Sequence, residues 1–239
     1  MQPHQQRQEL PKLRSLVERA KFHAPLERAE EAAILSLWRT AHHYPAGFRI
    51  EPSPGAQLIT SGWAGWLRYA SDGRRLIFLF LIPGDFIVPG LFEMPGCHLV
   101  CLTPLRTVDA ASLADDEANA PRSFVKIKRS CKEYQLLILD HLTRLTMGST
   151  KSSVASILCE FHQRSSRSGV PEHNRFSFPI GQRLLASSLG RSAVQVNKVM
   201  SQFQANEVIK VGYDWINILN PEKLAFIAGK GPIPGMNDE

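Results

Sequence analysis

The sequence predicts an α+β chain in which a β-rich domain, one long helix and a C-terminal winged helix-turn-helix follow one another. Three observations carry this. Between His42 and Leu113 short apolar runs are punctuated by Pro45-Ala46-Gly47, Pro52-Ser53-Pro54-Gly55, Ser71-Asp72-Gly73, Pro83-Gly84-Asp85 and Pro95-Gly96, the texture of many short strands. From Arg122 to Met147 an apolar seam recurs at three- and four-residue spacing. Between Ile180 and Asn220 two short helical segments flank Gly190 and run into a hairpin pattern. The expected division is residues 1–119 for a helical lead-in and a β-roll, 120–148 for the long helix, and 149–239 for the winged helix.

The lead-in is expected to be helical from about Leu10 to Ala41, with Leu13, Leu16, Val17, Ile34, Leu35, Leu37 and Trp38 at helical spacing. In the β-rich segment the clearest hairpin is Trp66 to Ala70, turning through Ser71-Asp72-Gly73-Arg74-Arg75 into Leu76 to Ile82. Asp-Gly accepts the positive φ that a tight turn requires. The long helix places Ile127, Cys131, Tyr134, Ile138, His141 and Leu145 on one seam, with Leu137 and Leu142 flanking. A helix of about 26 residues spans about 39 Å, too long for either small domain to cover, so the seam is expected to pair with a second copy. Gly148 ends it. Ser149 can cap a following helix to about Gln163 that buries Val154, Ile157, Leu158 and Phe161.

Composition narrows the function classes. The longest apolar run, Leu76 to Val88, is interrupted by Pro83, Gly84 and Asp85, short of the roughly 20 residues a bilayer span needs. The first residues, MQPHQQRQELPKLRSL, lack a leader pattern, so a cytoplasmic location is expected. Cys97, Cys101, Cys131 and Cys159 form no CxxC pair, and we read them as mostly buried thiols. The net charge of +6 is modest, but it is concentrated: Arg175, Arg183, Arg191, Lys198 and Lys210 stand against Glu207 alone between Arg175 and Gly212.

That basic stretch coincides with the helix-turn-helix. Leu184, Leu185 and Leu189 are expected to bury the first helix, Gly190 to make the turn, and Ser192 with Gln195 to form a capping box for the second. On the second helix Val196, Val199, Met200 and Phe203 form the core stripe, which leaves Ala193, Val194, Gln195, Asn197 and Lys198 outward. Short polar side chains on such a face suit a helix lying in the major groove of DNA. Residues Glu207 to Val211 and Trp215 to Ile218, joined by Gly212-Tyr213-Asp214, are expected to form a two-stranded wing. The expected DNA contacts are therefore Gln182, Arg191, Ser192, Ala193, Val194, Gln195, Asn197, Lys198 and Lys210. Among them Arg191 and Gln182 would hold the backbone and Asn197 and Lys198 would supply polar contacts.

Several segments together resemble the CRP/FNR superfamily of bacterial transcription regulators, from roughly His23 to Gly229. They are Gly62-Trp63-Ala64, Asp72-Gly73-Arg74-Arg75, Pro83-Gly84-Asp85-Phe86, Ile157-Leu158-Cys159-Glu160 and Leu189-Gly190-Arg191-Ser192-Ala193-Val194-Gln195-Val196-Asn197-Lys198. The last is similar to the subgroup with a Val-x-Val-Asn-Arg/Lys recognition helix. The resemblance implies a cyclic-nucleotide-binding-like β-roll, a dimerisation helix and a winged helix whose homodimer binds a pseudo-palindromic promoter site. It further implies double-stranded promoter DNA and RNA polymerase as partners.

Departures from the family pattern are informative. Cyclic-nucleotide binders hold the ribose with a glutamate and the phosphate with an Arg-Ser pair. Here Pro89 stands near the glutamate's place and Gly96-Cys97 where Arg-Ser would fall, so cAMP binding in the usual mode is not expected. No cofactor is expected, and an apolar pocket for an unidentified small ligand stays open. No cysteine precedes Cys97, which argues against an N-terminal iron-sulfur cluster. Haem candidates are His42, His43, Cys97 and His98, but adjacent strand residues point to opposite faces and neither pair can share one metal. Val194 replaces the family's cytosine-reading glutamate and can only touch a thymine methyl. The alternatives are a haem or small-molecule sensor of the same fold, a cupin-type metalloenzyme, which would need a His-x-His metal set absent here, and a regulator fold used for protein contact alone. No catalytic or metal-binding residue is assigned.

Overall fold

The computed structural model describes residues 41–51, 55–110, 121–166 and 174–230, with side chains of the long helix described from Ser130 onward. The expected lead-in helix lies outside these residues, except that Ala41, placed at its end, instead begins a strand. The described residues divide into two compact units, one up to Leu139 and one from Asp140 onward.

The first unit is built from eight strands: β1 (Ala41–Tyr44), β2 (Arg49–Ile50), β3 (Gln57–Ser61), β4 (Ala64–Tyr69), β5 (Arg75–Leu81), β6 (Phe86–Ile87), β7 (Cys97–Cys101) and β8 (Leu105–Asp109). They form two four-stranded sheets, ordered β1-β8-β3-β6 and β2-β7-β4-β5, and every pairing is antiparallel. The Asp-Gly hairpin is β4 and β5, with Tyr69 opposite Arg75. Asp72 closes its turn by accepting from the Arg74 backbone N–H at 3.0 Å. Gly62 turns the chain into β4 at a φ of +79°, and a Cβ there would run into the Pro104 carbonyl, so the close approach requires glycine.

Ile59, Trp66, Leu79, Leu81, Phe92, Leu99 and Leu105 fill the space between the sheets, with Trp66 and Phe92 edge-to-face at 5.5 Å. The roll is thus packed by its own aromatic side chains, and Tyr134 and Leu137 of the long helix α1 (Pro121–Thr146) join that core.

The second unit takes the end of α1 together with α2 (Thr150–Ser166), β9 (Arg175–Ser177), α3 (Gln182–Ser188), α4 (Ala193–Ala205), β10 (Ile209–Val211), β11 (Trp215–Ile218) and α5 (Pro221–Ile227). Helix α2 buries the expected Val154, Ile157, Leu158 and Phe161. Its first turn is held by the Ser149 hydroxyl, which accepts from the Ser152 backbone N–H at 3.1 Å. The wing is larger than expected. Its sheet has three strands in the order β10-β11-β9, because Arg175–Ser177 pairs antiparallel with β11. A three-residue strand paired with a partner some forty residues away leaves little local periodicity to detect.

Candidate nucleic-acid interface

Helix α4 begins at Ser192, whose side chain accepts from the Gln195 backbone N–H at 3.2 Å while the Gln195 side chain accepts from the Ser192 N–H at 3.1 Å. This reciprocal cap fixes the first turn of the helix. Val196, Val199, Met200 and Phe203 are buried, as their spacing predicts. Gly190, at φ +59°, makes the turn between α3 and α4.

The outward face runs the length of the helix, through Gln195, Ser201, Gln202 and Gln204 as well as the residues at its start. Val194 is 78% exposed, and Asn197 and Lys198 are exposed beside it. Ala193, Val194 and Asn197 border a shallow groove whose other wall is the start of α3, at Gly181, Gln182 and Arg183. The groove therefore offers an amide from Gln182, a guanidinium from Arg183, an amide from Asn197 and two apolar side chains. Arg183 is the residue that the expected contacts omitted: its position in the first turn of α3 gives no sign of which face it shares until α4 is packed beside it.

Three expected DNA contacts are otherwise engaged. The Arg191 guanidinium donates to the Gly148 carbonyl at 2.8 Å and its Nε is buried, so the residue ties the turn to the end of α1 instead of reaching outward. Ser192 and Gln195 are exposed, but their side chains are occupied by the cap. Lys210 is exposed on β10, directly opposite Asn217 on β11.

The second unit also holds a buried ionic cluster. Glu160 on α2 accepts from Arg144 at 2.6 Å with one oxygen and from Arg164 at 2.8 Å with the other. Arg144 also donates to Ser156 at 3.0 Å, and Ser153 donates to the Arg144 carbonyl at 2.9 Å. All three charged groups are buried, so removing the carboxylate would leave two desolvated cations. His141 is buried alongside. Desolvation, and then the Arg144 charge, lower its pKa to about 4 against a smaller opposing pull from Glu160.

The seam expected to face a second copy is turned inward over its described length. Tyr134 is buried and its hydroxyl both accepts from the Phe86 N–H at 2.8 Å and donates to the Phe86 carbonyl at 2.9 Å. His141 is buried, and Cys131, Ile138 and Leu145 are half-buried; Ile127 lies outside the described side chains. Among the described side chains of α1 the exposed apolar ones are Leu136, Leu139 and Leu142, at 57%, 59% and 51%. The protomer's own packing takes the tyrosine-bearing face together with Leu137, so of the two expected flanking leucines Leu142 alone stays open.

In the first unit a cavity of about 340 Å³ opens among Ile50, Trp66, Val88, Pro89, Met94 and Leu99. An arginine does line it, which the strand-loop sequence did not anticipate: Arg49 comes from β2. It lies 3.5 Å from Glu51 and its side chain is 55% exposed, so it is a neutralised rim charge and not a buried anion clamp. Cys97 and His98 also border the cavity, while His42 and His43 are exposed on β1. Burial raises the Cys101 thiol to about 11 and shifts Cys131 and Cys159 upward as well, which keeps these thiols protonated. Among the described residues no group of three His, Cys, Asp or Glu side chains is arranged to hold a metal ion, and no helix is long and apolar enough to cross a membrane.

Residues 152–227 match the model of the Crp-like helix-turn-helix domain. The chain is similar to the transcriptional activatory protein AadR of Rhodopseudomonas palustris, 24% identical over 182 residues, covering 74% of this chain and 75% of that protein. It is likewise similar to the HTH-type transcriptional regulator Cmr of Mycobacterium tuberculosis, 24% identical over 213 residues, covering 84% and 81%. The solved structure of FixK2 from Bradyrhizobium japonicum has the same fold, with a TM-score of 0.66 and 21% identity over 79% of this chain and 96% of that one.

Proposed function

We propose that this chain is a transcription regulator of the CRP/FNR type that binds promoter DNA sequence-specifically as a homodimer, and that it is not an enzyme. The observation that carries the reading is the capped helix α4, within the Crp-like domain, which presents Val194, Asn197 and Lys198 outward near its start, with Arg183 across the groove from Val194 and Asn197. A helix so placed meets base edges with a methyl-contacting side chain, an amide and a cation. The transcriptional roles of AadR and Cmr agree with it. A homodimer of this type reads two half-sites about one helical turn of DNA apart, and the exposed Leu136, Leu139 and Leu142 of α1 are the face read as its interface. RNA polymerase is the further partner that a promoter-bound regulator of this type addresses.

The first unit is read as the input domain. Among the described residues its cavity has no buried cation for a phosphate, which supports a small ligand other than cAMP. Selection of binding sites from random DNA, followed by genome-wide mapping of bound sites, tests the main reading. A single recovered palindromic motif, found upstream of mapped genes, is the expected result. Recovery of no motif at low salt would overturn it. Calorimetry with cAMP should give no heat of binding.

A further inference from the structure

The cavity of the first unit has a polar group in its wall that the fold leaves unspent. Gln57 on β3 is only 6% exposed and borders the cavity, directly opposite Ile87 on β6. Its Oε1 accepts from the buried Thr107 hydroxyl at 2.9 Å, which fixes the side chain from β8. That is the side chain's one hydrogen bond among the described residues, and it leaves Nε2, with two N–H donors, without an acceptor among them. A buried donor in that state is costly, and an acceptor entering the cavity relieves the cost.

The rest of the lining decides what must carry that acceptor. Ile50, Trp66, Ile87, Val88 and Leu99 make the walls apolar. An apolar cavity of about 150 Å³ takes one benzene ring. This one, at about 340 Å³, takes about two fused rings. Among the described residues Arg49, Glu51 and Glu93 are the bordering Lys, Arg, Asp or Glu side chains. Arg49 lies 3.5 Å from Glu51, and Glu93 is exposed, so the rim carries an excess of negative charge and repels an anion. His98 turns its ring to Tyr69, at 5.7 Å between centroids.

We propose that this cavity takes an uncharged, largely apolar molecule, about the size of two fused rings, whose carbonyl oxygen accepts from the Gln57 amide. Gln57 is then the residue that selects the ligand: it rewards an acceptor, while the apolar walls and the acidic rim reject a carboxylate or a phosphate. The inference rests on the reading of the first unit as the input domain, and the test separates the two.

The full chain is titrated by equilibrium dialysis with three probes of matched shape, each read by its naphthalene fluorescence and each substituted at the β carbon of the ring. Acetylnaphthalene carries the carbonyl, isopropylnaphthalene lacks an acceptor, and naphthoate carries an anion. Acetylnaphthalene should bind the unmodified chain at least about tenfold more tightly than naphthoate, the equivalent of one well-made contact. Gln57→Leu should lower the ratio of acetylnaphthalene affinity to isopropylnaphthalene affinity about tenfold, the loss of one hydrogen bond to a buried donor. Because that variant strands the Thr107 hydroxyl, Gln57→Leu/Thr107→Val is measured beside it. Removing both partners should reproduce the change in ratio at the melting temperature of the unmodified chain. A ratio that survives in both variants, naphthoate binding as tight as acetylnaphthalene binding, or no acetylnaphthalene binding to the unmodified chain would overturn the inference. Acetylnaphthalene binding that leaves affinity for the selected DNA site unchanged would overturn the input-domain reading and leave the site standing.

Discussion

At Val194 an apolar, 78% exposed side chain stands in the middle of an otherwise polar surface. If α4 reads DNA, this residue contributes no hydrogen bond and favours a thymine methyl. Val194→Glu restores an acceptor, and the recovered site should then shift toward cytosine at that position, by about 1–3 kcal/mol of discrimination. An unchanged motif would remove Val194 from the readout. His141 makes a prediction of a different kind. Its native pKa of about 4 lies below its ordinary value of 6.5, so the folded state binds the proton more weakly than the unfolded one. The stability it supports is full above pH 6.5 and is lost as pH falls toward 4, by about 3 kcal/mol at 1.36 kcal/mol per pH unit. Denaturant unfolding at pH 7 and pH 4 should show this loss, and His141→Gln should flatten it.

At the scale of elements, the junction of α1 and α2 is held by Glu160 between Arg144 and Arg164. Glu160→Ala strands two buried guanidinium groups, and a cost of about 3–5 kcal/mol is expected in chemical denaturation. A loss under 1 kcal/mol would mean that the cations find water. Helix α4 was the most legible element because everything that defines it is local: a Ser-x-x-Gln cap, a 3.6-residue apolar stripe and a glycine turn before it. Strand β9 and the stacking of Arg175 on Trp215 were not legible. Both exist only through pairing with distant chain, and Arg175 carries no local mark of that partnership. Arg191 illustrates the same limit in reverse, since its basic character suggested DNA and nothing local foretold its hydrogen bond to the Gly148 carbonyl.

At the scale of the whole molecule, the proposed dimer makes the last prediction. Leu136→Glu with Leu139→Glu places like charges on the open stripe of α1 without touching the Tyr134 face. Sedimentation should show monomer where the unmodified chain is dimeric, with thermal unfolding monitored in parallel and specific DNA affinity reduced at least a hundredfold. Persistence of the dimer would move the interface elsewhere on the chain.

The sequence by itself determined the kinds and order of most elements within the described residues, strand β9 and helix α5 excepted: short strands divided by Pro-Gly turns, one long helix, two short helices about Gly190 with a further helix before them, and a wing. It could do so because turn chemistry, capping and periodicity act over a few residues. Only the tertiary structure decided which face of α1 is spent inside the protomer, which cations reach solvent, that Arg49 borders the cavity and that Arg175 stacks on Trp215. Those outcomes depend on which distant surface packs first against an amphipathic element, a competition among burial energies that no local pattern encodes.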